Sequence, residues 1–274
     1  MTINCAGTLI DLNTPKVMGI LNQTPDSFYD GGRYSNPKAV LDRVEQMLFN
    51  GASFIDIGGY SSRPGAPEVS EQEELNRVIP TINTVVKAFP DAVISIDTFR
   101  SAVAKAAIDS GAAMINDISG GDRDPEIYRV AARHQVPYIL MHMRGTPQTM
   151  STLTDYDNVV MEVTQDLAKK LKQIRPHGVN DLIVDPGFGF AKNLVQNYTL
   201  LGKLDHLKLL NTPILVGVSR KSMIYKLLQT NPENALNGTT AANTIALLKG
   251  ASILRVHDVA PAIEVVKLVG ALKN

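Results

Sequence analysis

The chain of 274 residues has a single cysteine, Cys5, and no tryptophan. One thiol can form neither an intrachain disulfide nor a thiolate metal cluster, and it suggests a reducing compartment. No charge excess exists either: Lys+Arg and Asp+Glu both number 27. Nothing global therefore attracts nucleic acid or an anionic membrane, and any anion site must be local. No apolar run approaches the roughly 20 residues of a membrane span. The N-terminus, MTINCAGTLIDLN, lacks the basic segment and apolar core of a secretory leader. The expectation is a soluble cytoplasmic protein with no nucleic-acid or membrane partner. His134, His142, His177, His206 and His257 show no close metal-ligand spacing, and no G-x-x-x-x-G-K-[ST] loop is present. An oxygen-bound Mg2+ with one side-chain contact and several waters stays open.

What is present is regular. Residues 2 to 12 alternate weakly around Gly7 and suggest a short hairpin. Eight short apolar runs follow, beginning at Val17, Phe54, Val93, Ala113, Tyr138, Leu182, Ile214 and Ser252. They do not alternate strictly, as expected of strands buried on both faces of a parallel sheet. Helical patterns lie between them, over 37–50, 71–89, 100–110, 125–134, 155–175, 194–208, 221–229 with 234–249, and 259–272. Val40, Val44, Met47 and Leu48 have the spacing of a core-facing helix. Eight near-equal units predict an α/β fold, a (β/α)8 TIM barrel with an N-terminal β-hairpin, spanning 1–274 as one domain. A doubly wound open sheet fits less well because no second domain accompanies the series.

A barrel of this kind collects its chemistry at the C-terminal ends of the strands. Those positions hold Asn22, Gly58-Gly59, Asp97, Asn116-Asp117, His142, Asp185, Ser219 to Ser222, and Arg255 with His257. Any one of these residues could be an ordinary helix cap, and Ser219 and Thr98 are placed to be caps. A polar or glycine residue at all eight ends argues for a common site. Carboxylates and an Asn can read the amidine-like edge of a pterin or guanine. Gly217-Val218-Ser219-Arg220-Lys221-Ser222 joins a strand to a helix, where free N–H groups and two cations favour an anion. For Arg220 two readings stand, a cation of this site or a salt bridge beneath the loop. Acids and cations come from different strands, so the ring should hold a nitrogen heterocycle at one side and an anion at the other. Two long loops, after Leu21 and after Gly58, stand where lids would.

Six motifs carry a resemblance: MGILNQTPDSF from Met18, Ser62-Arg63-Pro64-Gly65-Ala66, Ile115-Asn116-Asp117-Ile118, Asp185-Pro186-Gly187-Phe188-Gly189-Phe190, Gly217 to Ser222, and Arg255-Val256-His257-Asp258. In this order, over nearly the whole chain, they resemble dihydropteroate synthase, which joins a dihydropterin pyrophosphate to p-aminobenzoate in folate biosynthesis and releases pyrophosphate. The resemblance implies that Asp97, Asn116 and Asp185 bond the pterin edge, with Lys221 on the other side of the ring. Arg255 would stack over the pterin and, with His257, help hold the pyrophosphate, Val256 between them would also bind substrate, and Asn22 would ligand Mg2+. Ser62 would contact the pyrophosphate end, while Arg63, Pro64, Phe190 and Ser222 would shape the aminobenzoate pocket, which should also accept sulfonamides. Lys221, Arg255, His257 and Asp97 would be the catalytic group, and a homodimer through the late helices is implied.

The second loop departs from the family's Glu-Ser-Thr-Arg-Pro-Gly pattern, with Tyr60 where an acid is usual and Ser62 where a threonine is usual. Two alternatives belong to the same reading. One is a methyltetrahydrofolate-dependent methyltransferase with a similar pterin site, and the other is a pterin-binding barrel without catalysis.

Overall fold

The computed structural model describes residues 1–23, 36–61 and 68–272. The expected hairpin is present: β1 (Thr2–Cys5) pairs antiparallel with β2 (Thr8–Asp11). Ala6 and Gly7 turn the chain between them, both with positive φ.

Eight parallel strands follow: β3 (Lys16–Asn22), β4 (Phe54–Gly58), β5 (Ile94–Asp97), β6 (Met114–Asp117), β7 (Tyr138–Met141), β8 (Leu182–Asp185), β9 (Leu215–Val216) and β10 (Ile253–Val256). Neighbours in sequence are neighbours in space, except that β10 returns to pair with β3. A bridge between Val184 and Ile214 joins β8 to β9 and closes the ring. This is the barrel the periodicity predicts.

Between the strands lie α1 (Pro37–Phe49), α2 (Glu71–Ala88), α3 (Ser101–Asp109), α4 (Glu126–His134), α5 (Val159–Ile174), α6 (Leu194–Gly202), α7 (Ser222–Leu227) and α8 (Leu236–Leu248), with α9 (Val259–Ala271) last. Local chemistry sets several starts. Asn36, Ser70 and Asn158 accept a first-turn N–H through their side chains, and Asn193 forms a reciprocal capping box with Gln196. Two boundaries differ from the sequence expectation. Because Asn158 caps it, α5 starts four residues later than 155, and a 3-10 helix over Leu204–Leu210 replaces the second half of the segment 194–208.

Along each strand, alternate side chains face the barrel interior. The lower interior layer is apolar: Met18, Phe54, Met114, Ile139, Ile183, Leu215 and Ile253, sealed from below by Ile3, Cys5 and Leu12. Two residues further along, β4, β6, β8 and β10 turn Asp56, Asn116, Asp185 and Arg255 inward. The intervening side chains, Val17, Ile55, Ile57, Ile115, Val184 and Val256 among them, pack outward against the helices. No described helix is long and apolar enough to cross a membrane.

Candidate functional site

The C-terminal mouth of the barrel opens into a cavity of about 640 Å³. Of the residues singled out in the sequence, Asn22, Asp97, Phe190, Lys221, Ser222, Arg255 and His257 line it, together with Ile20, Tyr60 and Met150. Ser62, Arg63 and Pro64 lie outside the described residues, as does most of the loop after Asn22.

Arg255 is at the centre of the polar cluster. Its Nε donates to Asp56 Oδ2 at 2.5 Å and its terminal nitrogen to Asp97 Oδ2 at 2.6 Å. Asn116 Nδ2 donates to the same Asp56 oxygen at 3.0 Å. This corrects the expectation that acids and cations occupy opposite sides. Closing the ring puts β10 beside β3, and Arg255 then reaches across the interior to the acids of β4 and β5. Burial works against the Arg255 cation, but Asp56 and Asp97 outweigh it and the guanidinium pKa is raised. Burial pushes the Asp97 carboxyl up to about 7, with Arg255 pulling it down and Asp56 pushing the same way as burial.

Asp56 is the member that motif reasoning missed. It is fully buried, and its Oδ1 has no hydrogen-bond partner. The signal was available: a carboxylate inside the apolar run Phe54-Ile55-Asp56-Ile57 is costly unless it is paired.

Asn116 and Asp185 are almost fully buried and do not line the cavity. Asp185 Oδ1 accepts the Gly187 N–H at 2.7 Å. Gly187 has φ +68, and a Cβ there would sit 2.0 Å from the His142 carbonyl oxygen, so the turn admits only glycine. Lys221 Nζ donates to the Phe188 carbonyl at 2.6 Å and stands 4.6 Å from the centre of the Phe190 ring. Burial lowers its pKa to about 8, with Asp185 holding the charge and Arg255 opposing it.

One expectation needs correction, and three open alternatives are resolved. Val256 packs in the outer core and does not line the cavity, because it faces the helices when Arg255 faces inward. Arg220 is a structural cation. Its guanidinium binds both oxygens of Asp258, at 2.8 and 3.0 Å, and donates to the Pro232 and Glu233 carbonyls. Arg220 has φ +52, a left-handed conformation held in part by its N–H bond to Thr239 Oγ1. Ser219 does not cap α7. Its Oγ accepts the His257 N–H at 3.1 Å and lies 3.0 Å from His257 Nδ1, tying β9's loop to β10's. Thr98 does not cap α3 either: its Oγ1 accepts the N–H of Arg100, the N-cap residue, and no first-turn N–H.

Tyr60, the departure in the second loop, is buried edge-on against Phe99, with ring centres 5.1 Å apart. It belongs to an apolar cluster with Met141, Met150 and Phe190, and the Arg100 guanidinium lies 5.6 Å from its ring centre, so it serves as packing.

Among the described residues no group of three His, Cys, Asp or Glu side chains could hold a metal. Asn22, half-buried at the end of β3, lines the cavity, and its side chain carries one amide oxygen. That suits Mg2+, which keeps several waters and takes its remaining bonds from substrate phosphates. The residues present therefore fit the ion.

The profile of the pterin binding enzyme family matches residues 18–257. The dihydropteroate synthase of Synechocystis is 49% identical over 259 residues, covering 93% of this chain and 89% of the relative. The crystal structure of Yersinia pestis dihydropteroate synthase with a sulfonamide drug superimposes with a TM-score of 0.95 at 42% identity, covering 100% of this chain and 99% of that one. The Xanthomonas albilineans enzyme with 4-aminobenzoic acid gives 0.91 at 40% identity, covering 99% and 98%.

Proposed function

Because the chain belongs to the pterin binding enzymes and, among them, to the dihydropteroate synthases, we propose that it condenses 6-hydroxymethyl-7,8-dihydropterin pyrophosphate with p-aminobenzoate. The observation that carries this reading is the cluster at the barrel mouth, where Asp97, Arg255 and Lys221 line one cavity beside the buried Asp185.

Asp97 lines the cavity and supplies an acceptor for the N–H donors of the pterin edge. Asn116 and Asp185, almost fully buried at the ends of β6 and β8, are the further acceptors once the ligand seats between the strand ends. Asn116 is oriented for this: its amide nitrogen is bound by Asp56, which leaves the amide oxygen to accept. Lys221 stands over the Phe190 ring and presents its ammonium to the heterocycle. Arg255 and His257 line the cavity on the side of the Ser219–Ser222 loop and receive the pyrophosphate. Asn22 would hold Mg2+, whose chemistry when bound is to offset charge on the phosphate oxygens. The C–O bond to the pterin methylene breaks, and pyrophosphate takes the electron pair. The amine nitrogen bonds the methylene carbon and loses a proton to solvent. An aromatic amine is already neutral at pH 7, so no general base is required of the chain. Ser222 and Phe190 shape the amine pocket.

The lone buried cysteine and the substrates support a cytoplasmic location. Exposed Leu227, Leu228, Leu248, Leu268 and Leu272 on and beside the last three helices suit burial against a second copy of the chain. No specific observation favours the methyltransferase reading. Pyrophosphate release with the two substrates and Mg2+ tests the proposal. Release that requires p-aminobenzoate supports it, and a purified, folded enzyme that releases none overturns it.

A further inference from the structure

Lys192 is a buried cation with no part in the mechanism above. It lies in the segment between β8 and α6 and is 7% exposed. Its ammonium has three N–H groups and finds three acceptors: the Gly187 carbonyl at 2.9 Å, the Phe190 carbonyl at 2.9 Å, and His142 Nδ1 at 3.0 Å. His142, at the end of β7, is 1% exposed. Burial holds its pKa well below the ordinary range, with Lys192 adding to the effect. A neutral imidazole is the species that can accept at Nδ1.

The segment Lys192 grips is hard to hold by its own preferences. Gly187, Gly189 and Ala191 all have positive φ, and Ala191 pays the steric penalty of an L residue there. Asn197 clamps it from the other side, accepting the Gly189 N–H at 2.7 Å and donating to the Lys192 and Asn193 carbonyls. Two features of the cavity depend on this backbone: the Phe188 carbonyl that binds Lys221 and the Phe190 ring beneath it.

We infer that Lys192 is a positioning residue for the aryl-amine subsite: anchored on His142, it sets through the Gly187 and Phe190 carbonyls where the Phe190 ring stands. The inference rests on the reading of Phe190 as a wall of the amine pocket. Lys192→Met keeps the length of the side chain and removes all three donors. The buried Phe190 carbonyl then loses its donor and the Gly187 carbonyl keeps only the Phe190 N–H at 3.1 Å, a deficit that a loop of this strain would relieve by moving.

The test compares Lys192→Met with the unsubstituted enzyme by pyrophosphate release, and by calorimetric titration of the pterin pyrophosphate alone. The expected result is a KM for p-aminobenzoate raised about tenfold, equivalent to about 1.4 kcal/mol, with the Kd for the pterin pyrophosphate changed far less. His142→Leu, which deletes one acceptor, should raise the same KM. His142→Asn, which keeps an acceptor near the Nδ1 position, should restore it, and this pair decides the matter if Lys192→Met does not fold. An amine KM that stays put, or that rises only in step with the pterin Kd, overturns the inference while leaving the functional reading intact. Failure of the unsubstituted enzyme to turn over overturns both.

Discussion

The two ends of the barrel interior are built from the same strands, one pleat apart, and they do opposite things. Phe54, Met114, Ile183 and Ile253 close the lower layer with apolar packing. Asp56, Asn116, Asp185 and Arg255, two residues further along, face inward at the upper layer with charge and amide. Free energy from burial accumulates below and outside, where the side chains are apolar. The upper layer holds groups whose burial is unfavourable unless they are paired, and one of them, Asp56 Oδ1, has no partner. A (β/α)8 protein can thus keep its reactive groups rigid by mounting them on strands already fixed from beneath.

The sharpest way to break this division is at the lower layer. Phe54→Ala should cost about 3–5 kcal/mol of stability, read as the urea midpoint. The protein that remains folded should keep its KM for both substrates. A large KM change at this position would mean that the two layers are coupled.

Lys221→Ala tests the upper layer. Turnover should fall by roughly 10²-fold, on the scale of losing one preorganised charge, while the urea midpoint stays the same or rises slightly, since burial disfavours that ammonium. Equal losses of turnover and stability would make Lys221 a structural residue.

Titration separates the layers without mutation. Burial brings Lys221 to about 8 and, opposed by Asp185, Lys192 to about 7, both below the ordinary lysine value of 10.5. The unfolded chain therefore holds more protons between those values and 10.5, so their contribution to stability grows as pH rises through that window and is lost as pH falls back through 8 and 7. Activity should run the other way, with kcat/KM falling above pH 8 as Lys221 loses its proton. Asp97 has the opposite sign: its raised carboxyl pKa favours the folded state in acid, and that contribution disappears as pH rises through about 7. Activity and thermal midpoint that fall together above pH 8 would contradict this assignment.

The smallest effect is expected outside both layers. Ser70→Ala removes the cap of α2, whose Oγ accepts the Glu73 N–H at 3.2 Å, and should cost about 1 kcal/mol with no change in turnover. A kinetic effect there would extend the functional region onto the outer helices.

Much of this architecture was legible from residue pattern. Strands buried on both faces must be continuous in apolar residues, which is why each of the eight runs became a strand. The polar ends of those runs became the mouth of the cavity. Asn22, Asp97, Lys221, Arg255 and His257 were all recognisable as mouth residues, and Phe190 only through the family resemblance. Lys192 and Arg220 were harder to read, because a lysine or arginine next to a loop looks the same whether water or carbonyl oxygens surround it. Only its neighbours in space distinguish the two, and for Arg220 they are Asp258, Pro232 and Glu233.

Hydrophobic period, helix caps and the residues at strand ends are properties of short stretches, and the sequence by itself determined them. Tertiary structure decided that Arg255 stands among the acids, that Val256 turns away from the cavity and that Lys192 is spent on a loop. Each of these depends on closing the ring and on which face of a strand a side chain occupies. Long-range contacts across the barrel settle those choices, and no local preference of the chain encodes them.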